Sequence, residues 1–209
     1  MGPYVEFPME TNGNTTMMEL VRVKMGFQCE LVVESIGLSG GLCLLWSGKV
    51  TIDLISYSPF HIDVKVMSHD SNCWRLTGFY GSPILDSYRH SWTLLRRLHG
   101  MSDLPWLCVG DFNDILGDEK KQRGQIRSRS LMDEFRGALD YYGLKDMRLC
   151  GPAFTWYNRR NGKAMVQERL NRGVGNYDWQ MLFLNSRVKH LEYCNSDHQP
   201  ILVKSLDDF

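Results

Sequence analysis

Two short polar segments, each next to an apolar run, carry residue types suited to hydrolytic chemistry. The first is Gly110-Asp111-Phe112-Asn113, which follows the apolar run Leu107-Cys108-Val109. The second is Ser196-Asp197-His198-Gln199-Pro200, which precedes Ile201-Leu202-Val203. A carboxylate can bind a hard cation such as Mg²⁺, and an imidazole can act as an acid, a base or a transition-state partner. The adjacent aspartate and histidine therefore suit a hydrolytic reaction.

The first segment has a structural reason to present its polar side chains. A buried strand would hold Asp111 and Asn113 rigidly, and strand side chains two residues apart point to the same face. Gly110 would allow a backbone or a phosphate to approach closely. A carboxylate and an amide on one face can orient a water or a phosphate oxygen near a metal ion. An Asx turn explains the same tetrapeptide equally well, and a surface histidine in a turn explains the second segment.

The apolar pattern of the rest of the chain predicts many short strands and a few helices. Helices are predicted at residues 17–25, 87–98, 131–142 and 177–183, with Asp86 as a candidate cap of the second. Strands are predicted at 31–36, 42–46, 50–57, 62–66, 74–80, 106–109, 154–157, 166–170, 188–193 and 200–203. The first two strands are separated by glycines, which indicates a hairpin, and the strict alternation at 62–66 is typical of a half-buried strand.

Strands that occur both as hairpins and between helices predict a particular fold class. We expect an α/β (α+β) fold, a four-layer sandwich of two mixed β-sheets packed face to face with helices outside. A length of 209 residues fits a single domain spanning residues 1–209.

Composition excludes several classes of protein. The chain has equal numbers of acidic and basic residues, 24 of each, which weighs against a tight sequence-specific DNA binder but not against an enzyme that briefly contacts phosphates. Its six cysteines form no CxxC pair and lie mostly in apolar runs, so buried free thiols are expected rather than disulfides or zinc ligands. No apolar run approaches the ~18 residues of a membrane span, and no secretory signal is evident, so we expect a nuclear or cytoplasmic protein without membrane partners.

Two basic segments are candidate contacts to a nucleic acid. Arg123, Arg127 and Arg129 lie in a polar loop that either meets a DNA backbone or is simply solvated. The run Trp156-Tyr157-Asn158-Arg159-Arg160 combines aromatic rings with amide and guanidinium groups, so it is a candidate for stacking on DNA and gripping it.

Taken together, these segments resemble the endonuclease/exonuclease/phosphatase superfamily. Within it, the chain is similar to the endonuclease domain of plant non-long-terminal-repeat retroelements of the LINE type. The resemblance extends from about Phe7 to Val203. The matching stretches are Pro8-Met9-Glu10-Thr11, Ser39-Gly40-Gly41-Leu42, Thr77-Gly78-Phe79-Tyr80-Gly81, residues 105–114, Gly151-Pro152-Ala153-Phe154-Thr155-Trp156, Glu168-Arg169-Leu170-Asn171-Arg172 and residues 196–200.

The resemblance implies a Mg²⁺-dependent DNA endonuclease that can also use Mn²⁺, and we expect it to be a monomer that contacts the DNA backbone. Glu10 matches the metal-binding glutamate of the family's Glu-Thr motif, and Asp197 matches an aspartate near the metal. Asp111 matches the aspartate that positions the attacking water. Asn113 and His198 match groups that hold the phosphate.

Tyr80 matches a tyrosine that contacts the scissile phosphate.

Two departures from the family pattern predict a damaged site. The family normally has a strand with a catalytic asparagine upstream of the Glu-Thr motif. None of the nine residues before Glu10 is asparagine, so that strand is expected to be missing. The usual Arg-Leu-Asp motif ends here in Asn171, where the aspartate normally pairs with the closing histidine. An amide can accept a hydrogen bond, but it cannot stabilise an imidazolium as a carboxylate does.

These observations leave more than one function open. The first is a DNA endonuclease of weakened activity. The second is a catalytically inactive retroelement remnant that acts as a nucleic-acid- or protein-binding module. A phosphomonoesterase or an RNA-cleaving enzyme is a further reading, because this fold serves many phosphoesters.

Overall fold

The computed structural model describes residues 4–35, 40–68, 72–84, 88–192 and 196–204. The chain has an α/β architecture and divides into two compact units, Met1–Tyr80 and Gly81–Phe209. Among the described residues, none of the helices combines the length and the apolar character that a membrane crossing requires.

In its described residues, the first unit has two antiparallel sheets and one α-helix. Its elements are β1 (Val5–Glu6), α1 (Thr15–Met25), β2 (Cys29–Val33), β3 (Leu42–Trp46), β4 (Val50–Ser58), β5 (His61–Ser68) and β6 (Cys73–Tyr80). β3 pairs with both β1 and β2, and β5 pairs with both β4 and β6. The β2–β3 pairing confirms the predicted hairpin, whereas β1 was not predicted.

Helix α1 begins and ends where local chemistry favours it. The side chain of Asn14 caps the first turn by accepting a hydrogen bond from the Met17 N–H at 3.0 Å. Gly26 ends the helix in the left-handed conformation with a φ of 79°, as expected of a glycine at this position. On its buried face, Met18 packs in a cluster with Phe27 and with residues of β3.

Strand β5 is buried on both faces, although its alternation predicted a half-buried strand. Ile62, Val64 and Val66 are fully buried, and so is Asp63 between them. The Asp63 carboxylate accepts hydrogen bonds from Arg75 Nε at 2.9 Å and Nη2 at 2.8 Å. Because this buried charge is paired and hydrogen-bonded, the second face of the strand can also exclude water.

The described part of the second unit combines three α-helices with three small groups of paired strands. Its elements are α2 (Tyr88–His99), β7 (Trp106–Asp111), β8 (Lys121–Gln122), α3 (Arg129–Tyr141), β9 (Lys145–Asp146), β10 (Leu149–Cys150), β11 (Trp156–Tyr157), β12 (Gln167–Glu168), β13 (Asn171–Gly175), α4 (Tyr177–Leu182), β14 (Arg187–His190) and β15 (Ile201–Lys204). β13 pairs antiparallel with β7 and β9, and β12 pairs antiparallel with β8 and β11. β14 pairs parallel with β10 and antiparallel with β15, so this sheet is mixed.

All four predicted helices are present, and the strands at 166–170 and 154–157 are shorter than predicted. Strand β13 was not predicted, because its sequence Asn-Arg-Gly-Val-Gly lacks the alternation of a strand. Asp86, the candidate helix cap, lies outside the described residues.

Aromatic stacking connects helices α2 and α3 to the residue that follows β7. The rings of Trp92 and Phe135 lie 4.5 Å apart and almost parallel. Phe135 also stacks on Phe112, with 5.6 Å between ring centroids. All three side chains are buried, so the chain is rigid immediately after Asp111.

The described cysteines agree with the prediction of free thiols. Reduced thiols are present at Cys29, Cys43, Cys73, Cys108 and Cys150, all of them in strands. Only Cys43 and Cys108 are fully buried, and the others are half-buried. Burial raises the pKa of the Cys43 thiol to about 12, so this group stays protonated and unreactive. Cys194 lies outside the described residues.

Acid is expected to destabilise the protein through His190. Burial lowers the pKa of this histidine from 6.5 to about 4, although its Nδ1–H donates to the Pro152 carbonyl at 2.6 Å. The unfolded chain therefore takes up this proton at a higher pH than the folded chain. The contribution of neutral His190 to the free energy of unfolding is fully present above pH 6.5 and is lost as the pH falls to about 4. Its size is about 3 kcal/mol.

Urea unfolding at pH 7 and at pH 4.5 would measure this effect. In the His190→Gln variant, the amide can still donate to Pro152 but does not titrate. We therefore expect a smaller loss of unfolding free energy between the two pH values than in the parent protein. An equal loss in both proteins would show that other groups govern the acid sensitivity.

Candidate active site

Strand β7 ends at Asp111, and the strand pairing places this carboxylate next to Asn171. Asp111 is opposite Asn171 in the antiparallel register of β7 and β13, and both residues are buried. The Oδ1 atom of Asp111 accepts a hydrogen bond from the Asn113 N–H at 2.9 Å. Gly110 has a φ of 144°, a backbone conformation that favours glycine over every residue with a Cβ.

Asn113 lies beyond the strand, so the expected shared strand face does not explain its closeness to Asp111. It has a φ of 53°, and its bond to the Asp111 carboxylate forms the Asx turn that was the alternative explanation. Its Nδ2 donates to the Gly81 carbonyl at 2.7 Å, and the Gly81 N–H donates to the Asp111 carbonyl at 2.7 Å. A Cβ added to Gly81 would lie 2.3 Å from the Phe112 carbonyl oxygen. A turn and a close backbone approach therefore fix Asn113.

His198 is held by its Nδ1 atom between an amide and a carboxylate. Nδ1 lies 3.2 Å from Asn171 Oδ1 and 3.7 Å from Asp111 Oδ2. Asn171 Nδ2 donates to the Gln199 carbonyl at 2.9 Å. This bond fixes the orientation of the amide, so the atom that faces the histidine is the oxygen. Nδ1 is then the donor, so Nε2 is an acceptor in the neutral ring and a second donor in the protonated ring. The His198 side chain is 24% exposed, which leaves the ring reachable by a substrate.

Thr155 connects the segments that carry Asn171 and His198, a role that sequence reasoning missed. Its hydroxyl oxygen accepts the N–H groups of Leu170 and Asn171, both at 2.9 Å. Its carbonyl accepts the Gln199 N–H at 2.6 Å. Thr155 is fully buried, so these bonds are shielded from water. A threonine inside a predicted strand carries no sequence signal of this role.

Each carboxylate oxygen of Asp197 accepts a hydrogen bond from a side chain. Oδ1 accepts from Arg159 Nη2 at 3.0 Å, and Oδ2 accepts from Trp156 Nε1 at 3.2 Å. Partial burial favours the neutral acid, but the residue's own backbone N–H, the Arg159 bond and the positive charge around it outweigh burial. The pKa of Asp197 is consequently below its usual value, and the group is a carboxylate at neutral pH. Trp156 also pairs with His198 in an isolated antiparallel bridge.

Two other candidate nucleic-acid contacts bond to backbone groups, Asn158 within its own loop and Arg123 to a residue 39 positions away. Asn158 Nδ2 donates to the Ala164 carbonyl at 2.9 Å, and its Oδ1 accepts the Val166 N–H at 3.0 Å. A guanidinium N–H of Arg123 donates to the Gly162 carbonyl. Arg123 remains exposed, so its charge is still accessible to a polyanion. Arg129 lies at the start of α3.

Arg127 was expected either to meet a DNA backbone or to be solvated. It belongs instead to a largely buried ionic network. Its Nη2 atom donates to Glu168 Oε2 at 2.7 Å, and its Nη1 atom donates to the Tyr88 hydroxyl at 2.9 Å. Lys121 binds the other Glu168 oxygen at 2.6 Å. Asp114 lies 3.6 Å from Arg127 and is fully buried, and burial raises the pKa of its carboxyl group. Long-range contacts of this kind leave no local pattern in the sequence.

In the first unit, Glu10 and Tyr80 are in contact. The Tyr80 hydroxyl donates a hydrogen bond to Glu10 Oε1, and Glu10 is exposed with a φ of 50°. The Thr11 N–H donates to the Gly41 carbonyl at 3.2 Å. A Cβ at Gly41 would lie 2.4 Å from Thr11 Oγ1. The Glu-Thr and Gly-Gly segments, which were both singled out in the sequence, are therefore neighbours.

The donor groups fit a cation that keeps most of its water ligands. Within the described parts of the chain, no three histidine, cysteine, aspartate or glutamate side chains form a cluster suited to metal binding. Mg²⁺ is usually bound through only one or two carboxylates plus water and substrate oxygens. Asp197 already holds a positively charged guanidinium. Its carboxylate has about four acceptor sites, so the bonds from Arg159, from Trp156 and from its own backbone N–H still leave a lone pair for a cation. The residues therefore fit Mg²⁺ and do not fit a closed cage of protein ligands.

The fold of this chain is similar to the folds of solved nucleases, in agreement with the fold that the resemblance implied. It is similar to the 3'-5' exonuclease NExo from Neisseria meningitidis, with a TM-score of 0.70, 18% identity, and coverage of 97% of this chain and 89% of that chain. It is also similar to an AP endonuclease from Archaeoglobus fulgidus, with a TM-score of 0.66, 14% identity, and coverage of 98% and 89%. A third similar structure is the endonuclease domain of TRAS1, a telomere-specific non-LTR retrotransposon, with a TM-score of 0.61, 16% identity, and coverage of 92% of both chains. No family model and no curated protein matches the sequence.

Proposed function

We propose that this chain is a Mg²⁺-dependent phosphodiester hydrolase that cleaves DNA and derives from a retroelement endonuclease. The observation that carries the proposal is the setting of His198, whose Nδ1 is bound to Asn171 beside the Asp111 carboxylate. Its Nε2 is thereby left for a substrate. The similar structures support the substrate class, because one is a retrotransposon endonuclease domain and another is a 3' phosphatase bound to a product DNA hairpin.

The side chains of the second unit supply the groups that phosphodiester hydrolysis needs. A phosphodiester is anionic, so attack by water requires a base near the water and hydrogen-bond donors near the phosphate oxygens. Asp111 is the proposed base and is fixed by its bond to the Asn113 N–H. Asn113 uses one amide N–H for Gly81 and has a second for a phosphate oxygen. A protonated His198 donates from Nε2 to another phosphate oxygen.

In the second unit, Asp197 is a proposed metal ligand. In the first unit, Glu10 is proposed as a metal ligand and Tyr80 as a phosphate contact. The lowered pKa of Asp197 keeps this ligand charged at neutral pH. When bound, Mg²⁺ would neutralise charge on the phosphate and activate a water molecule. The bond from Tyr80 to Glu10 orients the glutamate within the first unit.

The experiment that tests the proposal is the nicking of supercoiled plasmid DNA with Mg²⁺ and with excess EDTA. We expect nicking only with Mg²⁺, and we expect Asp111→Asn to reduce its rate about 10²- to 10³-fold. Asparagine keeps the oxygen that accepts the Asn113 N–H, so the turn is preserved while the base is lost.

The matched control is Asp140→Asn, which makes the same chemical change at an exposed position of α3. It should nick at the parent rate. Unchanged nicking by Asp111→Asn would remove Asp111 from the mechanism. Absence of nicking by the parent protein with both Mg²⁺ and Mn²⁺ would refute catalysis and favour the second candidate.

The second candidate is a nucleic-acid-binding module without catalysis, and the observation that favours it is Asn171. The neutral amide bonds to His198 but brings no negative charge to stabilise a protonated ring. The Asp111 carboxylate does not hydrogen-bond to the ring, because its Oδ2 lies 3.7 Å from Nδ1.

The Asn171→Asp variant is expected to be less stable than the parent protein. A carboxylate oxygen would replace Nδ2 at 2.9 Å from the Gln199 carbonyl, where two acceptors repel each other. It would also place a second buried negative charge beside Asp111. We expect the unfolding free energy to fall by about 1–3 kcal/mol in urea titrations.

A stability equal to that of the parent would show that the surrounding groups rearrange to accept the carboxylate. Nicking by the same variant separates the two candidate functions. A faster rate than the parent identifies the amide as the cause of weakened catalysis.

A further inference from the structure

We propose that Arg159 competes with the divalent cation for Asp197, holding the carboxylate in the absence of metal and leaving it when the metal binds. This inference rests on the proposed function, because it takes Asp197 as a metal ligand. It assigns Arg159 a role at the metal in addition to a contact with DNA.

The two side chains that donate to Asp197 differ in how easily they can be displaced. Trp156 is half-buried, lies in β11 and packs against the cluster of Ile115, Met132 and Leu170. Its indole N–H is therefore fixed beside Oδ2. Arg159 is 65% exposed and makes a single ion-pair contact to Oδ1 at 3.0 Å. The guanidinium is consequently the exchangeable partner, and it occupies the oxygen that is not held by the indole.

The loop around Arg159 is closed by other bonds, so release requires a movement of the side chain alone. Asn158 fixes the loop through its bonds to Ala164 and Val166. Arg159 itself has a φ of 54°, which is unfavourable for a residue with a side chain and persists because its surroundings impose it. The backbone therefore stays in place while the long side chain rotates into solvent.

The charges favour exchange in the direction proposed. An exposed ion pair in water is weak, because solvent screens it and holding a long side chain costs entropy. A divalent ion carries twice the charge of the guanidinium in a smaller volume, so it binds a carboxylate oxygen more strongly. A released guanidinium is then free to bind a phosphate, for which its planar geometry is suited.

Removing Arg159 should therefore tighten metal binding, whereas damage to the site would weaken it. The experiment is titration of the full-length chain with Mn²⁺ alone, with free Mn²⁺ measured by electron paramagnetic resonance. We expect Arg159→Gln to bind Mn²⁺ about two- to fivefold more tightly than the parent, which corresponds to the strength of an exposed ion pair. Glutamine keeps the Cβ and hence the backbone constraint, so only the charge and the contact are lost.

Two variants make the result specific. Arg160→Gln removes the same charge from the neighbouring exposed position and should change the affinity less. Asp197→Asn should lose the site and the effect. Equal or weaker Mn²⁺ binding by Arg159→Gln, or no binding by it, overturns the inference.

Plasmid nicking measured in parallel distinguishes this failure from that of the proposed function. Tighter Mn²⁺ binding without nicking in any variant refutes hydrolysis and leaves the competition standing. Mg²⁺-dependent nicking with unchanged Mn²⁺ affinity refutes the competition alone.

Discussion

Replacing His198 by alanine is expected to reduce Mg²⁺-dependent nicking of plasmid DNA about 10²- to 10⁴-fold. The bond from Nδ1 to Asn171 fixes the ring and leaves Nε2 available to a phosphate oxygen. The substitution removes a partly exposed side chain, so its effect on stability should be small beside its effect on rate.

The matched control is His90→Ala, at an exposed position of α2 that is outside the site. It should retain the parent rate. Thermal unfolding of both variants, followed by circular dichroism, verifies that lost nicking is not lost folding. A folded His198→Ala variant with the parent rate would contradict the assignment of this residue to catalysis.

Replacing Arg75 by methionine is expected to have the largest effect on stability. The Asp63 carboxylate would lose both guanidinium hydrogen bonds. Of the hydrogen bonds described for it, the one from the Thr77 hydroxyl at 2.7 Å would remain. Both charged side chains are completely buried, so water cannot replace the lost partner. An uncompensated buried charge of this kind costs about 3–5 kcal/mol, which urea or thermal unfolding would measure.

A double variant, Asp63→Val with Arg75→Met, distinguishes loss of the pair from loss of packing. With both charges gone, no buried charge is left unpaired, and much of the lost stability should return. It also remains informative if the single variant does not fold. A double variant as unstable as the single one would show that packing by the arginine, and not its charge, stabilises this part of the chain.

The helices and the fold class could be predicted from the sequence because they depend on local patterns. Apolar periodicity indicated all four helices, and Gly26 marked the end of α1. Two features were missed because distant partners determine them. Asp63 is buried through an arginine on the next strand, and β13 exists because its backbone pairs with β7. Neither partner can be identified from the local sequence.

Several of the predicted site residues lie close to one another, although one geometric argument was wrong. The structure brings Asp111, Asn171 and His198 together, and the pairing of Asn171 with His198 is the one that the resemblance implied. Asn113 is close to Asp111 because of a turn, and not because of strand periodicity. The contribution of Thr155 was missed because it acts through backbone groups of other segments. The proposed roles of all these residues remain predictions until the variants are assayed.

The contacts around His198 also determine when the site can form during folding. His198 bonds to Asn171, which is 27 positions away in the chain, and the Gln199 carbonyl accepts from Asn171, which is 28 positions away. Asn113 donates to the Gly81 carbonyl across 32 positions. Each contact closes a long loop of chain, and the entropy of closure delays such contacts until local structure exists. On refolding from denaturant, helical signal should therefore return before the site is assembled. A partly folded chain would then carry its helices without the ability to cut nucleic acid.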